Sequence, residues 1–289
     1  MSKINNIIDS YKISLFEEKK LLNSISLSTS FGCFCQKLEF NNNHKFIVKG
    51  TLHEKNYDSI FYEGKNLKYL NNQFPKLFPK VLYIKKNIIV MEFIENNNVK
   101  KNFSEKNFLK KIIEIHKIKN KFYGFKFDTP IGGLRQPSKF SSSWVEFYEK
   151  NRLGMIYELI NLNSPMPRKI NLGIENILKN LKNLIPANPK PSLIHGDLWE
   201  GNILYDNGKL VGLIDPSSYF AHNEMEISYL KWFNYISNEF YEEYSNIIKI
   251  NKDFYKYSEV YELYYALLNV HLWSRDYINN VAELVNKYN

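Results

Sequence analysis

The sequence predicts an α+β chain of two lobes, a small β-rich one followed by a larger, mainly helical one, with a cleft between them. Three observations predict it. Apolar and polar residues alternate through 34–49 and 81–94, whereas a helical period dominates after residue 103. The polar stretch Asn96-Asn97-Asn98 separates the two regimes. A chain of 289 residues is long enough to bury the core that such an arrangement needs. The division falls at 95. Residues 1–95 hold an N-terminal helix, an antiparallel sheet and one packed helix, and 96–289 hold the helical lobe, with a catalytic loop and β-hairpin at 193–215.

The elements follow in order. Ile4, Ile7, Ile8, Tyr11, Leu15 and Leu22 recur at helical spacing, which predicts an amphipathic helix over 3–24. Phe34 to Phe40 and His44 to Lys49 alternate as two strands joined at Asn41-Asn42-Asn43. Tyr57 to Asn71 reads as a helix, and Val81 to Ile84 with Asn87 to Ile94 as a second hairpin, closed at Lys85-Lys86. Helical patterns then cover Phe103 to Lys117, Trp144 to Ile160, Gly173 to Leu184, Glu224 to Tyr244 and Phe254 to Tyr288, interrupted by the β insert at 193–214.

Composition narrows the function classes. The net charge of +9 comes from 39 Lys plus Arg against 30 Asp plus Glu. The lysines are scattered with no run of five, so the charge reads as a solvated surface rather than a nucleic-acid stripe. Cys33 and Cys35 are the two cysteines, too close for the usual zinc spacing and too few for a disulfide framework. That suits a reducing cytoplasm. No stretch approaches the length of an apolar membrane span, and no signal peptide is evident.

The chemistry is concentrated in 192–215. His195-Gly196-Asp197 is followed after four residues by Asn202, then by a hairpin signal at Asn207-Gly208, then by Asp215. The hairpin brings Asn202, just before its first strand, close to Asp215, just after its second. Phosphoryl transfer needs a group of this kind, because its transition state is loose and anionic and the protein's work is placement. Magnesium takes hard oxygen ligands, often one or two carboxylates plus phosphates, so Asn202 and Asp215 are its candidate ligands. Asp197 stands apart as the candidate base for an acceptor hydroxyl, a role typically worth about 10² to 10⁴-fold. As a turn followed by a helix cap, these four fixed residues would recur by chance in roughly one such chain in several hundred.

Two further residues belong to the same reading. Lys49 ends a strand from which an amine reaches phosphates, and Glu63 sits on the apolar face of the next helix with Ile60, Leu67 and Leu70. A carboxylate there is costly unless paired, and Lys49 is the natural partner. Met91, Glu92 and Ile94 end the last small-lobe strand, whose backbone is placed to meet an adenine edge. Gly32 lies in the candidate phosphate loop, Ser28 to Cys33, where one glycine allows close backbone approach. Cys33 in that loop reads as a small apolar filler before a redox thiol.

These residues resemble the protein-kinase-like fold in its small-molecule branch, and within it the fructosamine/ketosamine 3-kinase family. The motif from His195 to Asn202, with Leu198, Trp199 and Gly201, matches that family's pattern. The segment from Ile214 to Glu224 matches in part, and Phe122 to Phe125, Trp144, Phe147 and Arg152 agree in the middle of the chain. Trp199 distinguishes this family from the aminoglycoside and choline kinase branches. The resemblance implies ATP and Mg2+ as cofactors and transfer to a sugar hydroxyl of a ketoamine, free or on glycated protein lysines. Trp199, beside the catalytic loop, and Tyr219, His222 and Glu224, which follow the metal aspartate Asp215 by a few residues, are candidates for the acceptor pocket. The resemblance implies no nucleic-acid or membrane partner, and a monomer or dimer in the cytoplasm.

Departures are also visible. One glycine replaces the family's paired glycines in the phosphate loop. Ala221, Asn223 and Glu226 replace a Gly, an Arg and an Asp, the last expected to brace the catalytic loop. The competing readings are a kinase of another small acceptor (an aminoglycoside, amino alcohol or sugar) and a nucleotide-binding pseudokinase.

Overall fold

A computed structural model describes residues 14–16, 19–29, 32–41, 43–51 and 57–288. Strands β1 (Leu21–Ser26), β2 (Cys33–Phe40), β3 (Lys45–Thr51), β4 (Val81–Lys85) and β5 (Ile88–Glu92) form one antiparallel sheet in the order β1-β2-β3-β5-β4. Alternation decides which side chains go where. Leu38, Phe40, Phe46 and Val48 bury on one face with Phe16, Ile88 and Val90. Cys35 and Lys49 stand opposite each other on the other.

Helix α1 (Ser59–Gln73) packs against the sheet through Ile60, Leu67 and Leu70, all at most 2% exposed. Gly64 sets how closely it sits, since a Cβ there would come within 2.6 Å of Ile84 and 2.7 Å of Ile89. Glu63 and Asn66 are carried inward on the same helix face.

The rest of the chain is mainly helical: α2 (Glu105–His116), α3 (Trp144–Tyr148), α4 (Gly154–Asn163), α5 (Arg168–Leu184), α6 (Asn223–Trp232), α7 (Asn238–Ile247), α8 (Phe254–Leu272) and α9 (Ile278–Val285). α8 is its central member. Val260, Tyr261, Leu263, Tyr264, Ala266 and Leu267 are all buried, so its apolar surface runs round the helix rather than along one stripe. Three short ribbons interrupt the helices: β6 (Thr129–Ile131) with β7 (Leu134–Gln136), β8 (Ser192–Ile194) with β11 (Tyr219–Ala221), and β9 (Ile203–Asp206) with β10 (Lys209–Leu213). Asn97 and Asn98 donate backbone N–H groups to the Tyr205 carbonyl, so the polar segment after the sheet runs along the β9–β10 hairpin. Among the described residues no helix is long and apolar enough to cross a membrane.

Four expectations need correction. The helix over 3–24 does not extend to 24: Leu21–Ser26 is the edge strand β1, pairing with β2, and Leu22 is 59% exposed. Asn23, Ser24 and Ser26 are poor helix formers, and the free edge of β2 offers them a ladder. Ile4 to Tyr11 lie outside the described residues. The helix expected over 224–244 is two, parted at Asn234 in the left-handed region (φ 50°) and restarted by the Ser237 cap. The helix expected over 144–160 contains a π turn at Glu149–Leu153 that turns Arg152 fully inward. The helix expected over 254–288 is likewise two, α8 ending at Leu272 and α9 starting at Ile278. Besides these, β6–β7 was legible but unread: Gly132-Gly133, with φ of 51° and 79°, is a hairpin signal.

Candidate active site

The β9–β10 turn takes positive φ at Asn207 (48°) and Gly208 (78°), the two-residue turn that the sequence signalled. Leading out of β10, the Ile214 N–H donates to the Asn202 carbonyl at 3.0 Å, which ties the start of one strand to the residue before Asp215. Asp215 itself has φ 51°, an unusual conformation for a non-glycine residue and one concentrated at working sites.

The loop from β8 to β9 is held from several sides. Gly196 (φ 85°) must be glycine, because a Cβ there would collide with the Ser217 carbonyl. His195 Nε2 donates to the Ile214 carbonyl at 3.1 Å, and Nδ1 accepts from the Asp197 N–H at 3.3 Å. This makes His195 an organiser of the loop, and burial holds its pKa below the usual value, so the ring is neutral. Asn202 Nδ2 donates to the Asp197 carbonyl (2.8 Å) and carboxylate (3.2 Å). Burial first, and the negative charge of Asp215 second, push the Asp197 carboxyl up to about 7.

On the sheet side, Lys49 Nζ lies 2.9 Å from Glu63 Oε1 and 2.9 Å from Asp215 Oδ2. It sits within β3, which runs on to Thr51, rather than at the strand's end. Burial alone would lower its pKa, but the Asp215 and Glu63 carboxylates outweigh it and keep the amine charged. The neighbouring Cys35 thiol is pushed up to about 12, chiefly by burial, and is therefore no thiolate near neutral pH.

Gly32 (φ 68°) precedes β2 with nothing near its missing Cβ, so it is the φ and not crowding that favours glycine. Ser30 and Phe31 of the same loop lie outside the described residues. Met91 is buried in β5, paired with Ile47 on one side and Val81 on the other. Glu92 is exposed, its N–H donating to the Lys80 carbonyl. Ile94 reaches over Gly212 of β10, where a Cβ would come within 2.7 Å of its Cδ1, and so links the sheet's exit to the hairpin. Glu92, Phe93 and Ile94 line a cleft of about 220 Å³ together with Asn71, Phe78 and Pro79.

The acceptor candidates divide. Trp199 is 41% exposed, its ring lying over Gly201 where any side chain would strike it. Tyr219, His222 and Glu224 are not on open surface. Tyr219 is 1% exposed beneath the Arg152 guanidinium, 3.8 Å away. His222 Nδ1 meets the Tyr261 hydroxyl at 2.9 Å, and Glu224 accepts from the Asn251 N–H (2.7 Å) and the Tyr257 hydroxyl. The reason is topological. β11 pairs with β8, and this pairing carries the chain after Asp215 into the helical core instead of across the cleft.

Glu226 does brace the loop: it accepts from the His195 N–H (3.1 Å) and the Gly196 N–H (2.7 Å), and it faces His116 Nε2 at 2.9 Å. Burial would raise its pKa, but the hydrogen bonds it accepts from His116 and the Gly196 N–H outweigh that and hold it below the usual carboxylate range. Sequence reasoning missed Asn66, whose side chain makes two hydrogen bonds with the Ser218 backbone (3.1 and 3.0 Å) and so joins α1 to the segment behind Asp215. The signal was present, since Asn66 follows Glu63 by three residues on the apolar face. His116, at the end of the apolar face of α2 with Ile112 and Ile115, was missed in the same way.

Comparison with known proteins adds to this geometry. A family model described as fructosamine kinase matches residues 14–289. A chloroplastic protein-ribulosamine 3-kinase of Oryza sativa subsp. japonica is 34% identical over 69% of this chain and 58% of its own length. Its Arabidopsis thaliana counterpart is 31% identical over 69% of this chain and 61% of its own. The chain thus spans about three fifths of the length of these curated relatives. A crystal structure of a candidate fructosamine-3-kinase from Thermobifida fusca superposes with a TM-score of 0.83 at 20% identity, covering 96% of each chain, which shows a shared fold.

Proposed function

The chain belongs to the fructosamine kinase family, and from that premise we propose that it transfers the terminal phosphoryl group of ATP to a sugar hydroxyl of a ketoamine. The acceptor is of fructosamine or ribulosamine type, free or on a glycated lysine. The observation that carries this reading is Lys49 in contact with both Glu63 and Asp215, beside a loop that presents Asp197 and Asn202 together.

The roles follow from chemistry. Asp197 accepts the acceptor's hydroxyl proton through its carboxylate, which Asn202 holds by one amide N–H. Lys49 supplies a fixed positive charge for the phosphates, and Glu63 keeps it in place. Gly32 and the Glu92–Ile94 backbone supply contacts for the phosphates and the base. Trp199 offers an exposed aromatic face to the acceptor.

The donor set fits Mg2+. The Asp215 side chain is 43% exposed, and Asn202 uses its amide nitrogen on Asp197, which leaves Oδ1 as the atom for a cation. Among the described residues there is no cluster of three His, Cys, Asp or Glu. Two protein oxygens completed by phosphates and water are a normal Mg2+ environment. When bound, Mg2+ neutralises charge on the transferring group. Asp215→Ala should weaken Mg2+-dependent nucleotide binding by at least about 10–100-fold, the loss typical of groups that merely support a metal ligand. Titration with a fluorescent ATP analogue measures it, and unchanged affinity would assign the cation elsewhere.

The same reading divides the chain into lobes at 95–98. It assigns the activity to a cytoplasmic monomer; the sequence holds only two cysteines, which suits a reducing compartment. The direct test is ADP release from Mg-ATP with fructosyl-lysine and ribulosyl-lysine. Turnover on either supports the proposal. Nucleotide binding with turnover only on an aminoglycoside, amino alcohol or simple sugar would replace the acceptor class, and binding without any turnover would favour a pseudokinase.

A further inference from the structure

Behind the loop that carries Asp197, four buried side chains from three helices form one hydrogen-bonded line. Asn223 Nδ2 donates to the Tyr244 hydroxyl oxygen at 2.8 Å. That hydroxyl lies 2.8 Å from His116 Nδ1, and His116 Nε2 lies 2.9 Å from Glu226 Oε2. Glu226 then accepts the His195 and Gly196 N–H groups. His116, Tyr244 and Glu226 are each 0% exposed, and Asn223 6%.

The chemistry of the donors gives the line a direction. An amide nitrogen only donates, so the Tyr244 oxygen accepts from Asn223. Asn223 is held that way round because the Ser192 oxygen already accepts from Lys119 Nζ and its O–H is turned to Asn223 Oδ1 at 3.4 Å. The proton of a fully buried tyrosine needs an acceptor, and His116 Nδ1 is the partner in reach. An ionised carboxylate only accepts, so His116 must carry its proton on Nε2. Every proton in the line then has an acceptor. A doubly protonated His116 would leave the Tyr244 proton without one.

We propose that Asn223 and Tyr244 fix His116 as the neutral Nε2–H tautomer, and that His116 is a positioning residue, holding Glu226 beneath the loop that presents Asp197. The proposal rests on the reading of Asp197 as base given above. Its consequence is kinetic. A loop displaced by about 1 Å costs on the order of 10²-fold in rate, while nucleotide contacts made from the sheet are untouched.

The test combines spectroscopy and kinetics on the full chain. Imidazole nitrogen NMR of 15N-histidine protein, with the His116 signals identified by their loss in His116→Asn, should show Nε2 protonated and Nδ1 bare near neutral pH. Asn223→Asp replaces the donor by an acceptor for the Tyr244 proton, so His116 should become doubly protonated. Tyr244→Phe should lower kcat by about tenfold, roughly one hydrogen bond's worth, with KM for Mg-ATP changed less than about twofold. A wild-type Nδ1–H signal would overturn the proposal, as would an unchanged tautomer in Asn223→Asp or an unchanged kcat in Tyr244→Phe. Should Tyr244→Phe fail to fold, the wild-type and Asn223→Asp spectra still decide. A wild type inert toward every ketosamine would defeat the functional reading instead, leaving the tautomer assignment to stand or fall on its spectra.

Discussion

Asp197→Asn should lower kcat by about 10² to 10⁴-fold, the usual worth of a positioned base, while leaving Mg-ATP affinity nearly unchanged. The change is close to isosteric, and the main contact that orients the side chain, from Asn202 Nδ2, can still be made to an amide oxygen. What disappears is the ability to take a proton. In the wild type the carboxyl sits at about 7, raised by burial and by Asp215. Activity should therefore rise with pH as this group loses its proton, along a limb at or below about pH 7. A cation at Asp215 relieves the second cause and moves the limb lower. The variant should lose that limb along with its rate. Steady-state ADP release across pH, paired with nucleotide titration, gives both readings. A variant with wild-type turnover would remove Asp197 from the chemistry altogether.

Glu226→Ala should produce the largest loss of stability among single changes near the site. It strips the acceptor from two buried backbone N–H groups and leaves the His116 Nε2–H unanswered. Each buried donor left without its acceptor costs about 1–3 kcal/mol, so losing the acceptor of all three should cost about 3–5 kcal/mol. For a chain of this size that corresponds to a melting temperature lower by roughly 5–8 °C. Glu226→Gln keeps one acceptor oxygen and should lose clearly less. Thermal unfolding of the two variants side by side checks the ordering, and a cost below about 1 kcal/mol for Glu226→Ala would mean that the loop is held chiefly from elsewhere.

Much of this site was legible because its residues are close together in sequence or sit on one periodic face. His195, Asp197, Asn202 and Asp215 flank one hairpin, so turn chemistry at Asn207-Gly208 was enough to bring its two ends together. Glu63 was legible as a carboxylate on an apolar helix face. Tyr219, His222 and Glu224 were misread because proximity in sequence to Asp215 was taken as proximity in space. The β8–β11 pairing that turns them inward involves three residues on each strand, too short to leave an alternating pattern. Glu226 and Asn66 show the converse limit. Their partners are 30 and 152 residues away, and a single polar residue on a buried face says that a partner exists without saying which.

The Asn66 clamp has a consequence for control. Swinging α1 away from β3 would part Lys49 from Glu63, and it would also break both hydrogen bonds to Ser218. Each buried group left unmade costs about 1–3 kcal/mol. A disengaged helix would accordingly hold below about 5% of the population. A resting state made by swinging α1 outward is therefore disfavoured, and this helix gives little purchase to an on–off switch.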